Sequence, residues 1–523
     1  MKFVVTQFED FSNEIFFKIF EYIEIFDLFN IFSNLNNRFT DLLKHPSLRF
    51  DATLTSQTNS NSELLRFHQS QIVSLRFKAF FPNSDFFFTN LHKLIFDEIP
   101  LQKFIIIFPN LTKLSRLRSL TIHFHDSIID LTEIYVLIFR LSQLKNLEII
   151  SQGHLLTLQL PCNTFEQRTF LDKFIIRYQC NFNDFILLLS HMPNVKYLSC
   201  LEITKTIDVL QRNFPIKTNH LTRLVFSMCK ISFDQLEIFL GHFGRQLELF
   251  HINTSNDETY LVADRWQRII CETMPRLKQF QFQYHEWHYQ NFRLTSSHQS
   301  IDKFTTQFWT NRQWTFEITA DMNYWPPIRT IYSISRSDRY NQSTANEKIG
   351  LKIDCLHYSP YREDIVDDCF SFLSRFYITT LYVNCKKLIF TKLIKLLSLL
   401  PNLDLFGVRY LSSFEPTNQT ESCSNTNQIT KLAIDNFIDE CDLKKITYFI
   451  DLCPYLNYFQ IKCENICSIQ AILRYVLSKL TYLNSLSFYI PIITDDLIEE
   501  LKIMCNCEIR RCTDRICLKI LNK

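Results

Sequence analysis

A short apolar phrase returns along this chain at nearly constant spacing: one apolar residue, two others, an apolar residue, one other, an apolar residue. It stands as Ile72-Val73-Ser74-Leu75-Arg76-Phe77 and Leu91-His92-Lys93-Leu94-Ile95-Phe96. It returns at Leu117, Leu144, Leu171, Val195, Leu221, Leu247 and Leu277. Weaker copies begin at Ile301 and Ile328, and good ones resume at Ile378, Leu403, Ile429, Leu456 and Leu483. From Leu91 to Leu247 the steps are 26, 27, 27, 24, 26 and 26, and from Ile378 onward 25, 26, 27 and 27. Random Leu-rich sequence does not keep such a register. One repeat cannot bury its own apolar face, so neighbours must stack into a common core.

The last half of each phrase alternates apolar and other residues, as a half-buried strand does. The segments between phrases read as helices. Asp184–Met192 leads into Pro193, and Thr391–Leu400 into Pro401. Ser232 with Gln235 reads as a capping box before Leu236, Phe239 and Leu240. Pro193, Pro275, Pro401 and Pro454 each stand two residues before a phrase, with Pro109 further ahead of Leu117. Proline cannot continue a helix, so it marks where the chain turns back to the next strand.

Residues 11–43 differ. Apolar side chains at Phe11, Ile15, Ile19, Ile23, Leu28, Phe32, Leu35, Phe39 and Leu42 step by three or four, the spacing of amphipathic helices. The pairs Phe26-Asp27 and Asn36-Asn37 divide them into three. Ser12 or Asn13 can cap the first, and Glu14 sits in its first turn, where the helix dipole favours an acid. Three short helices bury too little surface to stand alone.

The chain has 523 residues, 46% hydrophobic, with 56 basic and 54 acidic side chains. A net charge of +2 argues against nucleic acid or an anionic membrane as the main partner. The start MKFVVTQFEDF does not read as a signal peptide, and no apolar run is long enough to span a membrane. The 17 cysteines are scattered, as in a cytoplasmic or nuclear protein with reduced, mostly buried thiols. With 5 glycines, neither GxGxxG nor GxxxxGK[ST] occurs. His285-Glu286-Trp287-His288 is one residue short of HExxH. His123 and His125 read as surface strand neighbours. Cys505, Cys507, Cys512 and Cys517 lack CxxC spacing. We expect no catalytic residues, metal or cofactor, and no enzymatic reaction by this chain.

Two resemblances follow from these residues. Phe11-Ser12-Asn13-Glu14-Ile15-Phe16, Ile19-Phe20-Glu21-Tyr22-Ile23, Asp27-Leu28 and Asn37-Arg38-Phe39 together resemble the F-box, with Ser12 in place of its usual Pro and Phe39 in place of its usual Trp. The repeats resemble leucine-rich repeats of the longer, helix-containing type. Leu221-Thr222-Arg223-Leu224-Val225-Phe226-Ser227-Met228-Cys229 matches that family's LxxLxLxxC form.

The implied architecture is α/β. A three-helix F-box at 5–50 precedes a leucine-rich-repeat solenoid at 60–523, irregular around 285–350. That solenoid would be a horseshoe with a parallel β-sheet on its concave face and helices outside. The resemblance implies the substrate-recognition subunit of a Skp–cullin–F-box ubiquitin ligase. Phe11, Ser12, Ile15, Ile19, Phe20, Ile23 and Leu28 would bind the Skp adaptor of the cullin-based core. An unidentified target protein would meet outward strand positions, with Gln279, Gln281, Gln283, Tyr458, Gln460 and Lys462 as candidates. The alternative is a cytosolic leucine-rich-repeat scaffold with no ligase role.

Overall fold

The computed structural model describes residues 8–33, 35–55, 68–78, 88–125, 130–152, 158, 160, 170–205, 220–288, 295, 297–321, 328–336, 349–355, 363–385, 390–408, 428–434, 443–462, 467–489, 498–499, 502, 507–511 and 515–520. They form two compact units, residues 1–252 with 269–279, and residues 253–268 with 280–523. Both are α/β and built from strand–helix repeats.

In the first unit α1 (Asn13–Phe20), α2 (Ile25–Phe32) and α3 (Asn37–Leu43) come first. Ser12 is the N-cap of α1, but its side chain makes no capping bond. The break before α2 is not where Phe26-Asp27 suggested, since both residues lie inside α2. Glu24 decides it. Its carboxylate accepts from Phe26 N–H and from Thr53 N–H, both at 2.8 Å, which starts α2 and ties it to the first strand. Asn36 caps α3 through Phe39 N–H at 3.0 Å. Phe16, Phe20, Phe32 and Phe39 are buried. Phe16 and Phe39 meet edge-to-face with centroids 4.9 Å apart, so Phe39 fills its site as an aromatic core residue.

Eight parallel strands follow: β1 (Phe50–Leu54), β2 (Ile72–Lys78), β3 (Lys93–Ile99), β4 (Ser119–Phe124), β5 (Asn146–Ile150), β6 (Lys173–Asn181), β7 (Tyr197–Thr204) and β8 (Arg223–Cys229). The repeat sets the register. The fourth phrase positions Leu94, Leu120, Leu147, Phe174, Leu198 and Leu224 are direct neighbours, and so are the sixth, Phe96, Ile122, Ile149, Ile176, Cys200 and Phe226. All twelve are buried. Helices cover that face: Phe104 of Leu101–Leu111 packs on Phe96 and Phe124, and Phe239 of Phe233–Phe243 on Phe226. The capping box of Ser232 and Gln235 is present. Pro193, Pro275, Pro401 and Pro454 stand just past helix ends. Pro109 instead lies inside its helix, in the last turn, two residues before its end at Leu111.

The second unit departs from an all-parallel sheet. After β9 (Leu249–Ser255), β10 (Gln279–His288), β11 (Trp314–Asp321), β12 (Ile328–Arg336) and β13 (Ile349–Cys355) are not in chain order. β12 lies between β10 and β11 and is antiparallel to both, while β11 pairs parallel with β13. The irregular stretch at 285–350 is thus a hairpin whose return strand is inserted into the sheet. The weak phrase at Ile328 starts this antiparallel strand, and that at Ile301 lies on the 3-10 helix His298–Thr305, not on a strand. Aromatic packing seats the detour: Phe304 stacks on Phe316 with centroids 4.7 Å apart. Parallel order then resumes through β14 (Ile378–Cys385), β15 (Leu405–Val408), β16 (Lys431–Ile434), β17 (Tyr458–Lys462) and β18 (Ser485–Tyr489). An antiparallel pair, β19 (Cys507–Arg511) and β20 (Arg515–Ile520), ends the sheet on β18. Gly407 is required beside Tyr382, because a Cβ there would strike that ring.

Candidate partner-binding surfaces

The N-terminal helices carry apolar side chains on both sides of their surface. Phe16, Phe20, Leu28 and Phe39 point inward and are fully buried. Of the residues expected to meet an adaptor, Phe20 and Leu28 therefore serve the core of this unit. Ile19 and Ile23 are half-buried, and Phe11, Ser12 and Ile15 are exposed. Ile15 is 45% exposed, Tyr22 88%, Ile31 52% and Leu35 56%; of these, Ile31 is the one that the sequence pattern did not single out. All four fall within residues 15–35 of the helical segment.

Arg38 entered the sequence reading only within the Asn37-Arg38-Phe39 motif, with no role of its own. Its guanidinium donates to the Phe11 carbonyl at 2.7 Å and to Asn13 Oδ1 at 2.8 Å. It also bonds the Glu9 carbonyl and lies over the Phe16 ring. One side chain on α3 thereby positions the segment leading into α1. Nothing local in the sequence announces contacts 25 to 29 residues apart. Burial pushes the Glu24 carboxyl up, against the backbone N–H groups of Thr53, Phe26 and Asp27 that lower it.

On the strand surface, Gln279, Gln281 and Gln283 are exposed on alternate positions of β10. Phe280 and Phe282 between them are buried, while Leu277, expected in the core, is only half-buried where the chain enters the strand. Tyr458 and Gln460 are half-buried, with Tyr458 Oη donating to Gln460 Oε1 at 2.7 Å. Lys462 ends β17, and its side chain lies outside the described residues.

The histidine at 288 belongs to a polar cluster in the second unit. Thr295 N–H donates to His298 Nδ1, so His298 carries its proton on Nε2 and donates it to Glu286 Oε2 at 3.0 Å. Tyr332 Oη donates to the same oxygen at 3.0 Å. His288 Nε2 lies 3.1 Å from Thr330 Oγ1 and 3.6 Å from Glu286. Burial pushes the Glu286 carboxyl up, but bonds from His298 and Tyr332 and the charge field of His288 outweigh it, and its pKa is lowered. Burial lowers His288. His285 is held down to about 4, by burial first and by the Arg329 charge second. The cluster links β10, β12 and the 3-10 helix, a structural task. His298, which stands in none of the sequence motifs, is its central donor.

Among the described residues, no group of three or more His, Cys, Asp or Glu side chains is placed to hold a metal ion. His123 is half-buried and His125 exposed. Cys505 and Cys512 lie outside the described residues, as does the Cys507 side chain. Cys180, Cys200, Cys229, Cys369 and Cys453 are buried free thiols. Burial pushes the Cys453 thiol up to about 12, so it is not a nucleophile at neutral pH. Among the described residues no helix is long and apolar enough to cross a membrane.

The fold and its surfaces define an α/β repeat protein with an N-terminal helical bundle. No known family model matches the chain, and no characterised protein resembles it significantly.

Proposed function

We propose that this chain is the substrate-recognition subunit of a Skp–cullin–F-box type ubiquitin ligase. Its N-terminal helices would hold the Skp adaptor and its repeats a target protein. The observation that carries this reading is the apolar surface of the helices, where Ile15, Ile31 and Leu35 are exposed although the bundle already has a phenylalanine core. A surface of that kind is stabilised by a partner. The strand–helix repeats supply a second, separate surface, which suits a protein that brings two others together.

In this reading the chain transfers nothing itself. It raises the local concentration of target lysines near a conjugating enzyme carried by the cullin core. A cytosolic scaffold without a ligase role predicts target capture with no adaptor.

Co-purification with a Skp adaptor tests the proposal. Ile15→Asp places a charge in the apolar contact at a cost of several kcal/mol, so adaptor capture should vanish while thermal unfolding stays unchanged. Wild-type protein that fails to bind adaptor at micromolar concentration overturns the ligase reading.

A further inference from the structure

One row of side chains crosses the first unit on the sheet face opposite the helices. The third phrase positions are aligned strand to strand: Lys93, Ser119, Asn146, Lys173, Tyr197 and Arg223. Lys93, Lys173 and Arg223 are exposed and the other three half-exposed. Every one of the six can donate a hydrogen bond, and none is acidic. Lys173 Nζ lies over the Tyr197 ring, which leaves its charge accessible from the other side.

The acids nearby are already matched. Asp172 sits between Lys196 at 2.9 Å and Lys145 at 4.0 Å. Glu148 is paired with Arg177. Lys93, Lys173 and Arg223 have no carboxylate partner among the described residues. The row is therefore a line of cationic and neutral donors with no carboxylate of its own.

We propose that this row receives an extended, carboxylate-rich segment of a protein partner, lying across the strands. Strands are ~4.8 Å apart, so Lys93 and Lys173 are separated by ~14 Å and Lys173 and Arg223 by ~10 Å. An extended peptide rises ~3.4 Å per residue and turns alternate side chains to one face, so carboxylates at i, i+4 and i+8 all face the row and fall within ~3 Å of the spacing of the three cations, a difference that flexible Lys and Arg side chains span. The intervening Ser119, Asn146 and Tyr197 would donate to its backbone carbonyls. A nucleic-acid strand suits the row less well. Of the six side chains in the row, Tyr197 alone is aromatic, so successive bases would have no stacking platform.

This deepens the proposed function by naming the chemistry of the target, and rests on that reading only for what happens to the bound protein. The test is fluorescence anisotropy on the full chain, with a labelled peptide of about ten residues that carries Glu at i, i+4 and i+8. Its Gln counterpart is the control. The Glu peptide should bind, the Gln peptide should not, and added salt should weaken binding. Lys93→Gln, Lys173→Gln and Arg223→Gln combined should lower affinity about tenfold or more, and Lys18→Gln on α1 should leave it unchanged. If the triple variant does not fold, each single variant should still weaken binding about two- to fivefold.

Equal binding of the two peptides, or unchanged affinity in the variants, overturns the proposal. So does a uridine oligonucleotide that binds more tightly through the same three residues. Failure of adaptor capture leaves this result standing, and failure of peptide binding leaves the adaptor reading standing.

Discussion

Arg38 reaches back across 25 residues to Asn13, donating to its Oδ1 at 2.8 Å, and so closes the N-terminal bundle. The contact joins the first residue of α1 to the second residue of α3. The same guanidinium satisfies the Phe11 carbonyl at 2.7 Å. Hydrogen bonds to a charged group contribute about 1.5–3 kcal/mol where they are sheltered, and less at an exposed site such as this one. Arg38→Ala should lower stability by about 1 kcal/mol and raise hydrogen exchange at residues 8–13. Arg38→Lys should recover only part of it, because an ammonium cannot match the fork of donors. Unchanged exchange in Arg38→Ala would show that the segment is held by its aromatic contacts alone.

Ser12→Pro should stabilise the protein. Ser12 has φ −71° and ψ 158°, within the range proline imposes. Among the described residues its N–H has no partner, and its hydroxyl makes no helix-capping bond. The hydroxyl instead lowers the pKa of Glu14, which is fully exposed. The expected gain is roughly 0.4–1 kcal/mol, from the reduced freedom of the unfolded chain, with Ser12→Ala close to neutral. Denaturant midpoints of the two variants decide it. A proline variant less stable than wild type, with the alanine variant weakened too, would mean that Ser12 acts as a cap in solution.

The second unit should lose stability in acid. The His285 pKa falls from 6.5 to about 4 on folding, so the unfolded chain binds more protons between those values. Its contribution is fully present above about pH 6.5 and is lost as pH falls toward about 4. His288, also lowered, adds in the same direction. Glu286, lowered from 4.5, adds a further loss at more acidic pH, as its carboxylate is protonated. His285→Gln should flatten the decline of the melting temperature between pH 7 and about pH 4.5. An equally steep decline in that variant would assign the acid sensitivity to other groups.

The strand phrases were legible because they are local. Alternation puts Leu224 and Phe226 on one face and Arg223 on the other whatever the rest of the chain does, and a constant period brings the same positions into register from β3 to β8. The helix ends at Pro193 and Pro401 and the capping box at Ser232 are local for the same reason. What tertiary structure decided lies in contacts between distant segments. Glu24 starts α2 by bonding Thr53 as well as its own helix, so Phe26-Asp27 did not mark the break. Phe20 and Leu28 are buried because three helices close on one another, which no single helical pattern states. β12 enters between β10 and β11 because its hairpin finds an open edge beside β10, an outcome of long-range pairing and not of periodicity. His298 meets Glu286 only after that insertion has brought Tyr332 and the 3-10 helix to the same place.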